Sequence, residues 1–77
     1  MDRIEELRLE IDSLDQKLME LVQKRFELSL QVISAKQKKS LGTYDKNREE
    51  FILARARDYG PKVEELYQEL LRISKEI

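Results

Sequence analysis

Arg25 is a charged residue at a position where the pattern of the chain calls for an apolar one. Alternating steps of three and four residues define a heptad seam, which is typical of two helices that bury a shared stripe. The seam consists of Ile4, Leu7, Ile11, Leu14, Leu18, Leu21, Arg25, Leu28 and Val32. Burying a guanidinium costs free energy unless an anion meets it. Arg25 therefore either pairs with a glutamate of a partner helix and sets the register, or binds a carboxylate or phosphate between helices.

Lys36 lies on nearly the same helix face as Arg25, eleven residues further along the chain. Eleven residues at about 100° each make three turns plus roughly 20°, and they span about 17 Å. Two long basic side chains at this separation can converge on one small dianion. The simpler interpretation is that Lys36, Lys38 and Lys39 are favoured by the dipole at a helix C-terminus.

The segment DKNRE, from Asp45 to Glu49, opens a second predicted helix with charged residues. Helical spacing places Arg48 on the same face as Ile52, so this face is charged at its start and apolar further on. We expect Arg48 and Glu49 to point toward Lys36. The simpler interpretation is an acidic helix start with a solvated salt bridge, which contributes little to stability.

Arg8 and Ser74 complete the set of candidate residues. Ser74 interrupts the apolar face of a third predicted helix, where a small polar residue is also tolerated without a function. Arg8 lies about 25 Å from Arg25 and about 42 Å from Lys36 along one helix, so it cannot share a site with both in one chain. If two long helices run antiparallel, Arg8 of one chain reaches the Arg25–Lys36 region of the other. A dimer then holds two equivalent basic sites.

Three helices are predicted to position these residues within a single domain, 1–77. The chain has two glycines, one proline and many Leu, Glu, Lys and Arg residues, which favour helix. We predict one long helix and two short ones, at about 2–39, 45–59 and 62–77. In the turn between the first and second helices, Gly42 suits the end of one helix, and Thr43 or Asp45 suits the N-cap of the next. Gly60-Pro61 forms the turn between the second and third helices.

The length and composition of the chain imply a partner copy. The first helix is roughly 55 Å long, and 77 residues cannot cover such a rod in a compact monomer. The chain contains no cysteine and no histidine, so disulfides and the usual zinc sites are excluded, and oligomerisation remains the way to complete a core.

The charge pattern limits which binding partners and which cellular location the sequence predicts. A net charge of −1 with 40% charged residues predicts a mixed-sign surface, and not a face for nucleic acid or membrane. No apolar run approaches a membrane span, and the start MDRIEELR has no secretory apolar region. We predict a cytoplasmic protein that binds no nucleic acid and no membrane.

Three segments together resemble the all-helical, AroQ-type chorismate mutases. They are LRLEIDSLDQKLMELVQKR (residues 7–25), Ala35-Lys36, and D-x-x-R-E at 45–49, and the resemblance covers Ile4 to Ser74. It implies an all-α fold of three helices per chain in an intertwined antiparallel homodimer. It also implies an isomerase that converts chorismate to prephenate by a Claisen rearrangement in aromatic amino-acid biosynthesis, with no cofactor and no metal.

The resemblance assigns the binding of the two substrate carboxylates to arginines. Arg25 and Arg48 would hold them, together with Arg8 from the partner chain. Ser74 would line the end of the pocket where the ring carboxylate lies. These residues carry the substrate-binding function that the resemblance implies.

The resemblance assigns the reacting part of chorismate to Lys36, Glu49 and Asp45. Lys36 would donate to the ether oxygen of the breaking C–O bond. Glu49 would accept from the ring hydroxyl, and Asp45 would help to fix that hydroxyl. A pericyclic rearrangement needs no proton shuttle and no covalent intermediate, which agrees with a sequence that lacks histidine and cysteine.

One departure from the family pattern keeps other functions open. The family places a Gln or Glu four residues after the serine, which is one position beyond Ile77 here. We therefore expect either a longer native protein or reduced activity. The alternatives are a catalytically silent dimerisation or ligand-binding module and an isochorismate pyruvate-lyase of the same fold. Fusion to, or docking with, another enzyme of the aromatic pathway is a further expectation.

Overall fold

A computed structural model describes residues 2–39 and 45–76, and these residues form three α-helices. The helices are α1 at Arg3–Lys38, α2 at Lys46–Asp58 and α3 at Pro61–Glu76. The described residues contain no strand. The predicted all-α class, with one long and two short helices, is therefore confirmed.

Aspartate caps begin the first two helices. The Asp2 carboxylate accepts a hydrogen bond from the Glu5 backbone N–H at 2.8 Å, and the Asp45 carboxylate accepts one from the Arg48 N–H at 3.1 Å. Such a carboxylate satisfies an N–H that has no partner in the first turn and also interacts favourably with the helix dipole. Asp45 is thus the N-cap of α2. Gly42 and Thr43, the other residues of the predicted turn, lie outside the described residues.

A tight turn joins α2 to α3. Gly60 has φ of +131°, a conformation that L-residues with a side chain rarely adopt, and Pro61 is the first residue of α3. Across this turn the Arg57 Nε–H donates a hydrogen bond to the Glu64 Oε2, with 2.8 Å between the nitrogen and the oxygen. This hydrogen bond and the charge of Glu64 raise the pKa of the Arg57 side chain. The two short helices therefore form a hairpin that is fixed at its turn.

The hairpin packs on α1 mainly through α3. Among the described residues, α3 approaches both other helices closely, whereas the α1 and α2 backbones do not approach each other. The buried apolar side chains are Ala56 of α2 and Leu71 of α3, and Ser74 is the buried polar residue. The position of α3 therefore determines where residues of α1 lie relative to residues of α2.

Most of the apolar surface of α1 is uncovered within one chain. No residue of α1 is buried, and its exposed large apolar side chains include Ile4, Leu7, Leu9, Ile11, Leu14, Leu18, Met19, Leu21, Leu28 and Val32. The chain measures 57 × 23 × 15 Å and has a radius of gyration of 16.1 Å. A compact chain of this length would have a radius of about 11–12 Å. Among the described residues, no helix combines the length and the apolar character that a membrane crossing requires.

Replacing Gly60 by alanine should destabilise the protein through the backbone alone. A Cβ at this position would meet no atom within 4 Å, so the cost arises from the positive φ. We expect the free energy of unfolding to fall by about 1–2 kcal/mol, measured by urea titration at a fixed protein concentration. Gln68→Ala on the exposed side of α3 should change it by less than about 0.5 kcal/mol. Equal effects of the two substitutions would contradict the assigned turn.

Candidate functional site

A cleft of about 260 Å³ is lined by residues of all three helices. We call it the basic cleft, because its charged lining residues are Arg25, Lys36, Arg48 and Lys75 together with Asp45 and Glu49. The remaining wall is formed by Leu28, Ser29, Val32, Ile33, Ile52, Leu71 and Ser74. Four cationic and two anionic side chains thus line a small, partly apolar cavity. The cleft is therefore suited to a small anion with an apolar body.

Arg25 is held in the basic cleft by Ser74. Its Nη1 donates to the Ser74 Oγ at 3.0 Å, and the Ser74 hydroxyl donates in turn to the Leu70 backbone carbonyl at 2.7 Å. Ser74 is 9% exposed, and Arg25 is half-buried. The guanidinium has five N–H donors, so one bond to Ser74 leaves most of them available for a carboxylate. The hydrogen bond both links α1 to α3 and orients the arginine.

Lys36 is a half-buried cation in the same cleft, within the last turn of α1. The structure thus brings Arg25 and Lys36 into one cavity, as their spacing along the helix suggested. Within residues 2–39 and 45–76, the Lys36 ammonium has no hydrogen-bond or ion-pair partner. Its charge is therefore available to an anion bound in the cleft.

The first turn of α2 contributes three charged residues to the cleft. The Asp45 carboxylate, which caps the helix, and the exposed Arg48 both line the cavity. Glu49 is half-buried, and both of its carboxylate oxygens lie 3.3 Å from the Lys75 Nζ. Six of the seven candidate residues from the sequence therefore lie at this cleft: Arg25, Lys36, Asp45, Arg48, Glu49 and Ser74.

Lys75 was not identified from the sequence. It belongs to α3 and lies 26 residues from Glu49, so no helical spacing relates the two. Two features of the sequence could have indicated Lys75. It directly follows Ser74 at the border of the apolar face of α3, and its charge is opposite to that of Glu49. Their contact depends on the packing angle of two helices, which local patterns do not specify.

Arg8 is exposed on the first half of α1 and does not line the basic cleft. The predicted contribution of Arg8 from a partner chain stays a prediction.

A second cavity of about 470 Å³ adjoins the basic cleft and shares Arg25, Arg48 and Ile52 with it. We call it the outer groove, and its other lining residues are Arg55, Ala56, Tyr59, Val63 and Tyr67. Tyr59 at its edge is 81% exposed. The lining of the outer groove thus combines three arginines, Arg25, Arg48 and Arg55, with apolar and tyrosine side chains.

The chemistry of the cleft residues is that of charged and hydroxyl groups. The described residues contain no group of three or more acidic side chains that could hold a metal ion. The fold and the cleft together define an all-helical domain with a cationic cleft that is suited to a small anion. Residues 7–77 match the model of the family chorismate mutase type II, and the chain belongs to this family. No curated protein and no solved structure matches the chain significantly.

Asp45 should have two separable effects, because it caps α2 and also lines the basic cleft. Asp45→Ala and Asp2→Ala each remove an N-cap carboxylate, so both should lower the free energy of unfolding by about 1 kcal/mol. If the chain has the chorismate mutase activity of its family, only Asp45→Ala should also lower kcat/KM for chorismate, by about tenfold for the loss of one hydrogen bond to the substrate. Urea titration and a chorismate absorbance assay measure the two effects. An equal loss of activity in Asp2→Ala would assign the effect to stability alone.

Proposed function

We propose that this protein rearranges chorismate to prephenate without a cofactor or a covalent intermediate. The observation that carries this proposal is the basic cleft, in which Arg25, Lys36, Arg48 and Glu49 surround a cavity of about 260 Å³. Membership of the chorismate mutase type II family supports the same reaction. In the rearrangement, one C–O bond breaks and one C–C bond forms within a single molecule, so no external electron or proton is required.

The arginines would hold the two carboxylates of chorismate. Arg25 is oriented by Ser74, and Arg48 lines the same cavity from α2. A guanidinium matches a carboxylate with two parallel hydrogen bonds, which fixes orientation as well as charge. Holding both carboxylates favours the compact conformation in which the reacting carbons are close. Ser74 would act on the carboxylate through Arg25, because its own hydrogen is donated to Leu70.

Lys36 would stabilise the charge that develops during the reaction. The ether oxygen becomes electron-rich as its bond to carbon lengthens, and a preplaced ammonium group stabilises this charge more than it stabilises the substrate. Half-burial of Lys36 strengthens the interaction, because water screens it less. Glu49, with Asp45 beside it, would accept a hydrogen bond from the ring hydroxyl and set the orientation of the ring.

We further propose an intertwined antiparallel homodimer. The chain has 6756 Å² of accessible surface, whereas a compact monomer of its mass would have about 4,900 Å². The excess is about 1,800 Å² per chain, or about 3,600 Å² for two chains, and obligate interfaces bury about 2,000–5,000 Å². The exposed apolar seam of α1 is the surface suited to this interface.

In this dimer the outer groove would receive the first half of the partner chain's α1. The apolar side chains Ile52, Val63 and Tyr67 line the groove and match the apolar seam at the start of α1. The groove adjoins the basic cleft through Arg25 and Arg48. A helix lying there would bring Arg8 of the partner chain to the mouth of the cleft.

The activity and the role of Lys36 can be tested together. The wild-type protein should consume chorismate and form prephenate. The loss of chorismate absorbance measures the first, and product analysis the second. Lys36→Ala should lower kcat by about 10²–10³-fold, the usual effect of removing one donor to a developing oxyanion. Lys38→Ala, which removes an exposed lysine two residues further along α1, should change kcat less than about twofold.

Three outcomes would contradict this proposal. A loss below tenfold in Lys36→Ala would remove Lys36 from the stabilising role. No turnover in the wild-type protein would favour a catalytically silent binding module. Release of pyruvate from isochorismate, in place of chorismate rearrangement, would favour the lyase of the same fold.

Mixing two inactive variants tests whether each site draws on both chains. Arg8→Ala and Lys36→Ala should each be nearly inactive alone. After joint unfolding and refolding in equal amounts, a dimer with shared sites should regain about a quarter of the wild-type activity, because each mixed dimer has one intact site. Sedimentation should show a dimer in every sample. No recovery, or full activity in a monomer, would contradict the shared site.

A further inference from the structure

We propose that Lys75 is a positioning residue that holds Glu49 in the orientation needed to accept the substrate hydroxyl. This inference rests on the proposed function, since it assigns a supporting group to one of its residues. Lys75 lies on α3 and Glu49 on α2, so the contact joins two helices at the basic cleft. Neither the family match nor the spacing of the sequence assigns a role to this lysine.

The Lys75 ammonium lies equally close to both oxygens of the Glu49 carboxylate. The Lys75 Nζ lies 3.3 Å from Oε1 and 3.3 Å from Oε2 of Glu49. The Glu49 side chain is 21% exposed and that of Lys75 is 42% exposed. A carboxylate held on both oxygens loses much of the rotational freedom of a glutamate side chain, and its remaining lone pairs keep a defined direction.

The charge of Lys75 also offsets an electrostatic cost at Glu49. Glu49 is an anion in a cleft proposed to bind a dianion, and like charges in one small cavity repel. Arg25, Arg48 and Lys36 are directed to the substrate in the proposed function. Lys75 is the cation that lies on Glu49 itself, and it keeps a negative group compatible with a negative substrate.

The end of α3 contacts cleft residues of both other helices through two neighbouring residues, Ser74 and Lys75. Ser74 bonds Arg25 of α1, and Lys75 bonds Glu49 of α2. Two consecutive residues of one helix therefore hold the anion-binding group and the hydroxyl acceptor in a fixed relation. A partly exposed ion pair contributes little to stability, so the effect of Lys75 should be seen mainly in the reaction.

A double-mutant cycle tests this role in the intact chain of residues 1–77. Lys75→Met should lower kcat/KM for chorismate about tenfold, while Lys75→Arg should retain activity within about threefold because it keeps the charge. In the Glu49→Gln background, Lys75→Met should have less than a twofold further effect, because the group it orients is gone. Lys62→Met, an exposed lysine at the start of α3, is the matched control and should leave kcat/KM unchanged.

A measurement without substrate accompanies the kinetics. The carboxyl ¹³C resonance of Glu49, assigned with Glu49→Gln, should shift in Lys75→Met and stay unchanged in Lys62→Met. An unchanged resonance in Lys75→Met would overturn the inference, even if the wild-type protein shows no turnover and the proposed function fails. An equal kinetic effect of Lys75→Met with and without Glu49 would also overturn it and would indicate direct contact of Lys75 with the substrate. Far-UV circular dichroism and sedimentation identify any variant that fails to fold or assemble.

Discussion

The helix α1, of 36 residues, carries more apolar surface than the rest of the described chain covers. This constraint governs the whole structure. The described core contains two apolar side chains, Ala56 and Leu71, and the seam of α1 remains exposed. Burial of that seam provides the main favourable free energy that a second chain can supply. In the proposed dimer, the surface that completes the fold is the same surface that contains Arg25, so assembly and site formation depend on one helix.

The geometry of the basic cleft depends on α3, although α3 supplies only one of its six charged lining residues, Lys75. Arg25 and Lys36 come from α1, and Arg48 and Glu49 come from α2, yet those two helices do not approach each other closely. The bond from Arg25 to Ser74 and the pair of Glu49 with Lys75 link both sets to one helix. The hairpin turn at Gly60 and the Arg57–Glu64 bond fix α2 against α3 at the other end. The relative positions of the charges therefore follow from the packing of α3.

The features that were predictable from the sequence are those with local causes. The three helices follow from composition and turn residues, and the N-cap role of Asp45 follows from its place before a helix. Arg25 was predictable because it breaks the heptad pattern, and Lys36 because it lies on nearly the same helix face as Arg25. The contact of Lys75 with Glu49 was not predictable, because it depends on how two helices cross. The bond that Ser74 makes to Arg25 spans 49 residues and has the same origin.

The adjacency of Ser74 and Lys75 limits how the lengths of the short helices can vary in evolution. One inserted residue in α3 would rotate everything after it by about 100° and move both side chains away from their partners. Insertion of three or four residues restores the phase to within about 60° of a full turn, and a matching insertion in α2 moves the Gly60 turn outward by the same length. Paired insertions of about one helical turn therefore preserve the site, whereas single-residue insertions in α3 do not.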